Sequence, residues 1–254
     1  MRSLLLMLLC SLAAAAAHAS PRLVTELSQS RIDISYRFAG AELLVFGAIQ
    51  YPGGRAPREP PGIAIVVRGP TEAAIVRQKQ RVAGIWVNRD SMRFETVPGF
   101  YAVATTAPPR DLLDERSAAI HEIGTRHLQL SPVTGAGPED VRRFEDGLVG
   151  VRTRRGLFVE QPYGVRITED VLFRARIPIP SAVPVGPYQA EIYLISNGRV
   201  LARATAPIIV DKTGFERSVW LFAHQNAFLY GLLAVGLAIG SGLAAGTVMS
   251  RREA

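Results

Sequence analysis

Apolar and polar residues alternate through much of the chain. Arg31 to Phe38 sets Ile32, Ile34, Tyr36 and Phe38 on one side, the period of a half-buried strand. Leu43 to Gln50 is a more continuous apolar run, and Ala39-Gly40-Ala41 can turn the chain between the two. The stretch YPGGRAPREPPG at 51–62 is unsuited to regular structure, because its prolines lack a donor and its glycines break any period. Further short strands are expected at Ile63 to Arg68, Ala74 to Gln78, Gly84 to Val87, Arg93 to Val97 and Tyr101 to Thr105. Alternation returns at Val171 to Ile177. After the proline-rich turn PIPSAVPVGP at 178–187, Tyr188 to Ile195 is matched to Val200 to Val210 through Asn197-Gly198, two residues that tolerate positive φ. A Gly-Pro-Tyr entry into a late strand suggests immunoglobulin-like sandwich material without the Cys and Trp marks of that fold.

Between the two β regions the period changes. Asp111 to Leu128 places Leu113, Ile120, Ile123 and His127 along one helical stripe, with Glu122 and Arg126 at i, i+4. The breaker SPVTGAGP at 131–138 precedes a second helix, which starts at Pro138 with Glu139 and Asp140 at its positive end. Val141, Phe144, Leu148 and Val151 form its stripe, and Arg152, Arg154, Arg155 and Gly156 its stop.

The ends carry a different pattern. Arg2, an apolar run from Leu4 to Ala17 and the small-x-small site Ala17-His18-Ala19 have the three parts of an export signal, with cleavage expected before Ser20. From Ala227 to Met249 there is no charge, and Arg251-Arg252 follows. A helix there would reach about 35 Å at about 1.5 Å per residue, enough to cross a bilayer, with the arginines held in the cytoplasm. The fold class expected is a mainly β ectodomain of immunoglobulin-like sandwich material, an inserted helical hairpin, and one C-terminal transmembrane α-helix. The domains expected are a signal peptide at 1–19, a periplasmic ectodomain at 20–216 with its helical insert at 111–156, a juxtamembrane segment at 217–226, the transmembrane helix at 227–249 and a cytoplasmic tail at 250–254. This is the topology of a single-pass protein of the bacterial inner membrane.

Composition narrows the chemistry. The only cysteine, Cys10, lies inside the export signal, so the mature chain has no disulfide and no thiolate site. The net charge of +7 is carried almost wholly by arginine, with Lys79 and Lys212 the only lysines. The bunched arginines, Arg152, Arg154 and Arg155, are explained by helix electrostatics. A chain exported across the inner membrane does not meet nucleic acid.

The order LFRARIPIPSAVPVGPYQAEIYLISNGRV, then DKTGFER, then AFLYG opening the apolar segment, resembles the alphaproteobacterial putative transmembrane protein family over essentially the whole mature chain. The resemblance implies the same topology and brings no catalytic residue with it.

Candidate chemistry is sparse. His121-Glu122 has the start of a zinc-protease motif, but position 125 is Thr, and His127 lies about 240° around a helix from His121 at about 100° per residue. Gly240-Ser241-Gly242 sits in the apolar segment with no strand before it, and no Gly-x-Ser-x-Gly elbow occurs. The carboxylates at Asp111, Asp114 and Glu115, and at Glu139, Asp140, Glu145 and Asp146, belong to helix faces and first turns. No catalytic, cofactor or metal residues are therefore expected, and the chain is not expected to be an enzyme. The expected role is a non-catalytic accessory subunit, a periplasmic interaction module that meets the lipid bilayer and a membrane protein partner. A small-anion binding module and an envelope enzyme with an unrecognised site are the alternatives. Two small-x-x-x-small pairs, Gly236 with Gly240 and Gly242 with Gly246, are the expected helix-packing positions toward that partner.

Overall fold

Strands alternating one buried with one exposed residue pair into two sheets, and long runs buried on both sides sit where a further layer covers them. In the computed structural model, residues 21–34, 39–54, 57, 60–133, 135–212 and 215–250 are described, with side chains in the two C-terminal helices at 219–220 and 222–243. The chain divides into two compact units, Met1–Ile32 with Ala39–Val210 and Asp33–Phe38 with Asp211–Ala254.

The first unit is built on β1 (Arg22–Leu27), β3 (Ala41–Gln50), β9 (Val165–Thr168) and β10 (Leu172–Ile179), hydrogen-bonded in the order β1-β3-β10-β9. A second sheet has the order β2-β12-β11-β4-β7-β8, where β2 is Arg31–Ile34, β4 Gly62–Arg68, β7 Tyr101–Thr105, β8 Phe158–Gln161, β11 Gly186–Ser196 and β12 Arg199–Lys212. In β10 the burial alternates strictly, with Phe173, Ala175, Ile177 and Ile179 inside and Leu172, Arg174 and Arg176 outside. By contrast, β4 is buried from Gly62 through Val67. One of its sides meets the other sheet; the opposite side lies under the helical segment, where a Cβ on Gly62 would come within 2.8 Å of Leu112 Cδ2. Burial on both sides is the condition under which a strand reads as continuously apolar.

Asn197-Gly198 makes the expected turn, with φ of 50° and 74°, and closes β11 onto β12. The strands expected separately at 74–78, 84–87 and 93–97 are instead parts of one long ribbon. In it β5 (Thr71–Val82) pairs with β6 (Ile85–Pro98) across a turn at Ala83-Gly84, both at positive φ. Residues 35–38 of the first expected strand and the export signal at 1–19 lie outside the described residues.

Three expectations of fold class are corrected. First, Asp111–Leu128 is no continuous helix. It is α1 (Pro109–Leu112), α2 (Glu115–Ile120) and a 3₁₀ turn at Thr125–His127. Leu113 is extended at φ −130°, Asp114 restarts the chain by accepting from Ser117 N at 2.6 Å, and Glu122 and Gly124 take φ of 50° and 104°. A left-handed residue ends a helix. The second expected helix does form, as α3 (Pro138–Arg154), stopped at Gly156 with φ 70°. Second, β7 and β8 run parallel, which an immunoglobulin sandwich built of antiparallel sheets does not contain.

Third, the transmembrane helix is not borne out. The second unit holds α4 (Phe215–Gln225) and α5 (Ala227–Ser250), joined at Asn226 with Phe222 and Tyr230 edge to face at 6.3 Å. Among the described residues no helix is long and apolar enough to cross a membrane. A Cβ added at Gly236, Gly240 or Gly242 would meet nothing within 4 Å among the described residues. The side-chain surroundings of Gly246 lie outside the described residues.

Candidate functional site

The outward side of the four-stranded sheet carries the candidate site. Side chains on one face of a sheet line up across strands, and one such row here is Glu26, Phe46, Arg174 and Arg166, each directly opposite the next. The adjoining row is Val24, Ala48, Leu172 and Thr168. A tight return through Glu169 and Asp170, both at φ 53°, brings Arg166 opposite Arg174. Arg176, two residues along, meets Glu42 with Nε at 3.5 Å from Oε1. Neither Arg166 nor Arg174 makes an ion pair among the described residues. Like charges directly opposite destabilise a sheet, so this placement is a local cost.

Two hollows adjoin on this face. One of about 370 Å³ is lined by Arg166, Arg174 and Arg176 with Tyr163, which stands 68% exposed at φ 64°. The other, of about 500 Å³, is lined by Val24, Phe46 and Leu172 with Arg174 between the two. Gly47, opposite Phe173 on the inward side, has no room for a side chain, since a Cβ there would lie 2.2 Å from Val24 O and 2.6 Å from Phe173 Cζ.

The other polar constellations are already occupied by protein atoms. Glu191, 3% exposed, accepts from Arg68 Nη1, from Arg203 Nη2 and from Tyr193 Oη at 2.9 Å. Arg68 Nη2 in turn donates to the His121 carbonyl at 2.7 Å and lies 3.4 Å from Glu122 Oε2. Tyr101 Oη donates to the Glu122 carbonyl and accepts from Gly124 N, both at 2.8 Å. Burial raises the pKa of both Tyr101 and Tyr193. The His121 ring packs on Tyr193 at 5.1 Å, and burial, then Arg203 and Arg68, hold its pKa below the ordinary value. The His121-Glu122 pair thus ties the helical segment to the sheet. A separate hollow of about 640 Å³ contains His127, Glu115 and Glu160. There His127 Nε2 meets Glu115 at 3.2 Å, its Nδ1 meets the Ile123 carbonyl at 3.1 Å, and Thr125 N donates to Glu160. Among the described residues no group of three His, Cys, Asp or Glu could hold a metal ion.

The remaining sequence candidates have local roles. Asp140 pairs with Arg143 at 2.8 Å, Arg152 with Glu72 at 2.6 Å, and Ser241 Oγ donates to the Ala238 carbonyl at 3.0 Å. Sequence reasoning missed the arginine face. Its one signal was the alternation Phe173-Arg174-Ala175-Arg176, which places two arginines on the same outward side.

The family profile described as "Putative transmembrane protein (Alph_Pro_TM)" matches residues 22–251. The chain belongs to this family. No curated protein matches the chain. Among solved structures it is similar to Spo0M, a sporulation control protein from Bacillus subtilis, at 10% identity and a TM-score of 0.28. That likeness covers 82% of this chain and 56% of that one. The chain thus spans little more than half the length of Spo0M, and a likeness at that TM-score carries no argument.

Proposed function

We propose that this member of the family is a non-catalytic interaction module, an accessory subunit beside another envelope protein. Its β unit lies on the periplasmic side of the inner membrane, and its contact face is the outward side of the four-stranded sheet. One observation carries the reading: Arg166 stands directly opposite Arg174 with no ion-pair partner among the described residues, next to exposed Phe46 and Leu172. Arg and aromatic residues around a desolvated apolar patch are the composition of interface hot spots. A partner's carboxylates between the two guanidiniums would turn a repulsive pair into a bidentate clamp. The test is co-purification of the full chain from gently solubilised membranes. Replacing Arg166 and Arg174 together with Glu is expected to lose a stoichiometric partner. Wild-type yield of every partner would overturn the reading.

A second reading, a small-anion binding module, is supported by the hollow of about 370 Å³ in which Tyr163 accompanies the same arginines. Native mass spectrometry distinguishes the two: a bound anion lost with Arg166→Glu favours the module for small anions, and a lost protein partner favours the accessory role.

A further inference from the structure

The β5–β6 ribbon has two unlike sides. On one, Val76 lies opposite Met92 and Ala74 opposite Phe94, and Met92 and Phe94 are buried against the rest of the unit. The other side is turned away and carries Ile75, Arg77, Lys79 and Arg81 along β5. Arg77 faces Ser91, Lys79 faces Asn88, and Ile75 faces Arg93. Arg77, Lys79 and Arg93 are exposed and make no ion pair among the described residues, and Arg81 Nε donates only to the Gly84 carbonyl at 3.3 Å. No carboxylate stands on that side from Ile75 to the turn. Glu95 lies at its base beyond Arg93, and Asp90 belongs to the other side, where it accepts from Gln80 Nε2 at 3.2 Å.

The tip is apolar. Val82, Ile85, Trp86 and Val87 are 48%, 69%, 66% and 40% exposed around the Ala83-Gly84 turn. From Ile75 to the tip the ribbon extends about 23 Å at about 3.3 Å per residue. We infer that this ribbon is a membrane-docking arm whose tip enters the headgroup region of an anionic bilayer while Arg77, Lys79, Arg81 and Arg93 meet the lipid phosphates. Three features select a lipid surface over an acidic protein. The tip is a tight two-residue turn whose apolar side chains stand exposed together, its tryptophan belongs to the residue type that favours membrane interfaces, and the cations follow the tip along one side at successive depths. Apolar insertion and basic attraction together anchor where either alone is marginal. Each cation near an anionic surface strengthens binding about fivefold. This inference concerns a different face from the arginine site and stands whether or not that reading does.

The experiment uses the full chain carrying Trp220→Phe, which leaves Trp86 as its only tryptophan. It is mixed with phosphatidylcholine vesicles, with or without phosphatidylglycerol, whose acyl chains are brominated. Reading quenching at Trp86, and comparing it with charge reversals on the ribbon, separates the arm from anything the C-terminal helices contribute. The expected result is a blue-shifted, quenched Trp86 with phosphatidylglycerol, weakened at least tenfold in apparent affinity by Arg77→Glu with Arg81→Glu, and weakened by salt. A second variant, Ile85→Ser at the exposed tip, is expected to reduce quenching while leaving the melting temperature unchanged. Unquenched Trp86 in both vesicles would overturn the inference. So would equal quenching in both that ignores the charge reversals, or protection of Trp86 only when a second protein is bound.

Discussion

Replacing Glu191 with alanine removes the one carboxylate that holds two arginines and a tyrosine at the centre of the first unit. Glu191 is 3% exposed, and the Arg68 side chain 24% exposed, so solvent does little to replace the lost contact. Breaking a buried pair by deleting one partner costs about 3–5 kcal/mol, because the remaining charge stays buried. Arg68 keeps the His121 carbonyl and Glu122 at 3.4 Å, which places the loss near the lower end of that range. For a domain of this size about 3 kcal/mol corresponds to roughly 6–12 °C in melting temperature. Arg203, whose side chain is 50% exposed, is the internal control, and Arg203→Ala should cost no more than about 1 kcal/mol. Thermal melts of the full chain in mild detergent, with hydrogen exchange over residues 115–127, read both quantities. Glu191→Ala should lower the melting temperature and deprotect that segment, and Arg203→Ala should do neither strongly. Equal losses from the two variants, or a loss under about 1 kcal/mol from Glu191→Ala, would refute the argument that burial decides the cost.

Gly47→Ala should destabilise by about 1–3 kcal/mol through overpacking against Val24 O and the Phe173 ring, seen as a lower midpoint in urea. Ala83, at φ 50° in the ribbon turn, should be improved by Asn or Gly, raising stability by about 0.5–1 kcal/mol in the same assay. His121 has a lowered pKa when folded, so the unfolded chain binds the extra proton first as pH falls through 6.5. Stability should therefore decline below that pH, and His121→Gln should flatten the decline in melts taken across the range.

The strands were legible where one side is buried and the other wet, as in β10, and where Asn197-Gly198 dictates the turn. The helix α3 was legible because its proline start, acidic first turn and glycine stop all agree. The ribbon was read as fragments because much of it is exposed on both sides, so no apolar period joins Ile75 to Val87. The stripe of Leu113, Ile120 and Ile123 suggested one helix, yet Leu113 and Ile123 reach the core from an extended residue and a loop, while Ile120, at the end of the short helix, is exposed. Two of these three positions are buried, and the backbone brings those two inside without a continuous helix. The arginine face was not legible because Arg166 and the Arg174–Arg176 pair become neighbours only through the register of β9 on β10. The expected membrane helix rested on the absence of charge from Ala227 to Met249, whereas among the described residues no helix is long and apolar enough to cross a membrane.

The central claim is that the opposed arginines are kept for a partner at a cost to the sheet. Arg166→Thr removes the like-charge opposition with a residue suited to a strand and separates the two effects. The measurement is the yield of co-purifying partner per folded full chain, taken with the melting temperature of the same sample. The account predicts a melting temperature unchanged or raised, by the equivalent of about 0.2–1 kcal/mol, together with a partner yield reduced severalfold. Full partner yield at that higher stability would contradict it, since the arginine would then be a cost with no ligand to offset it.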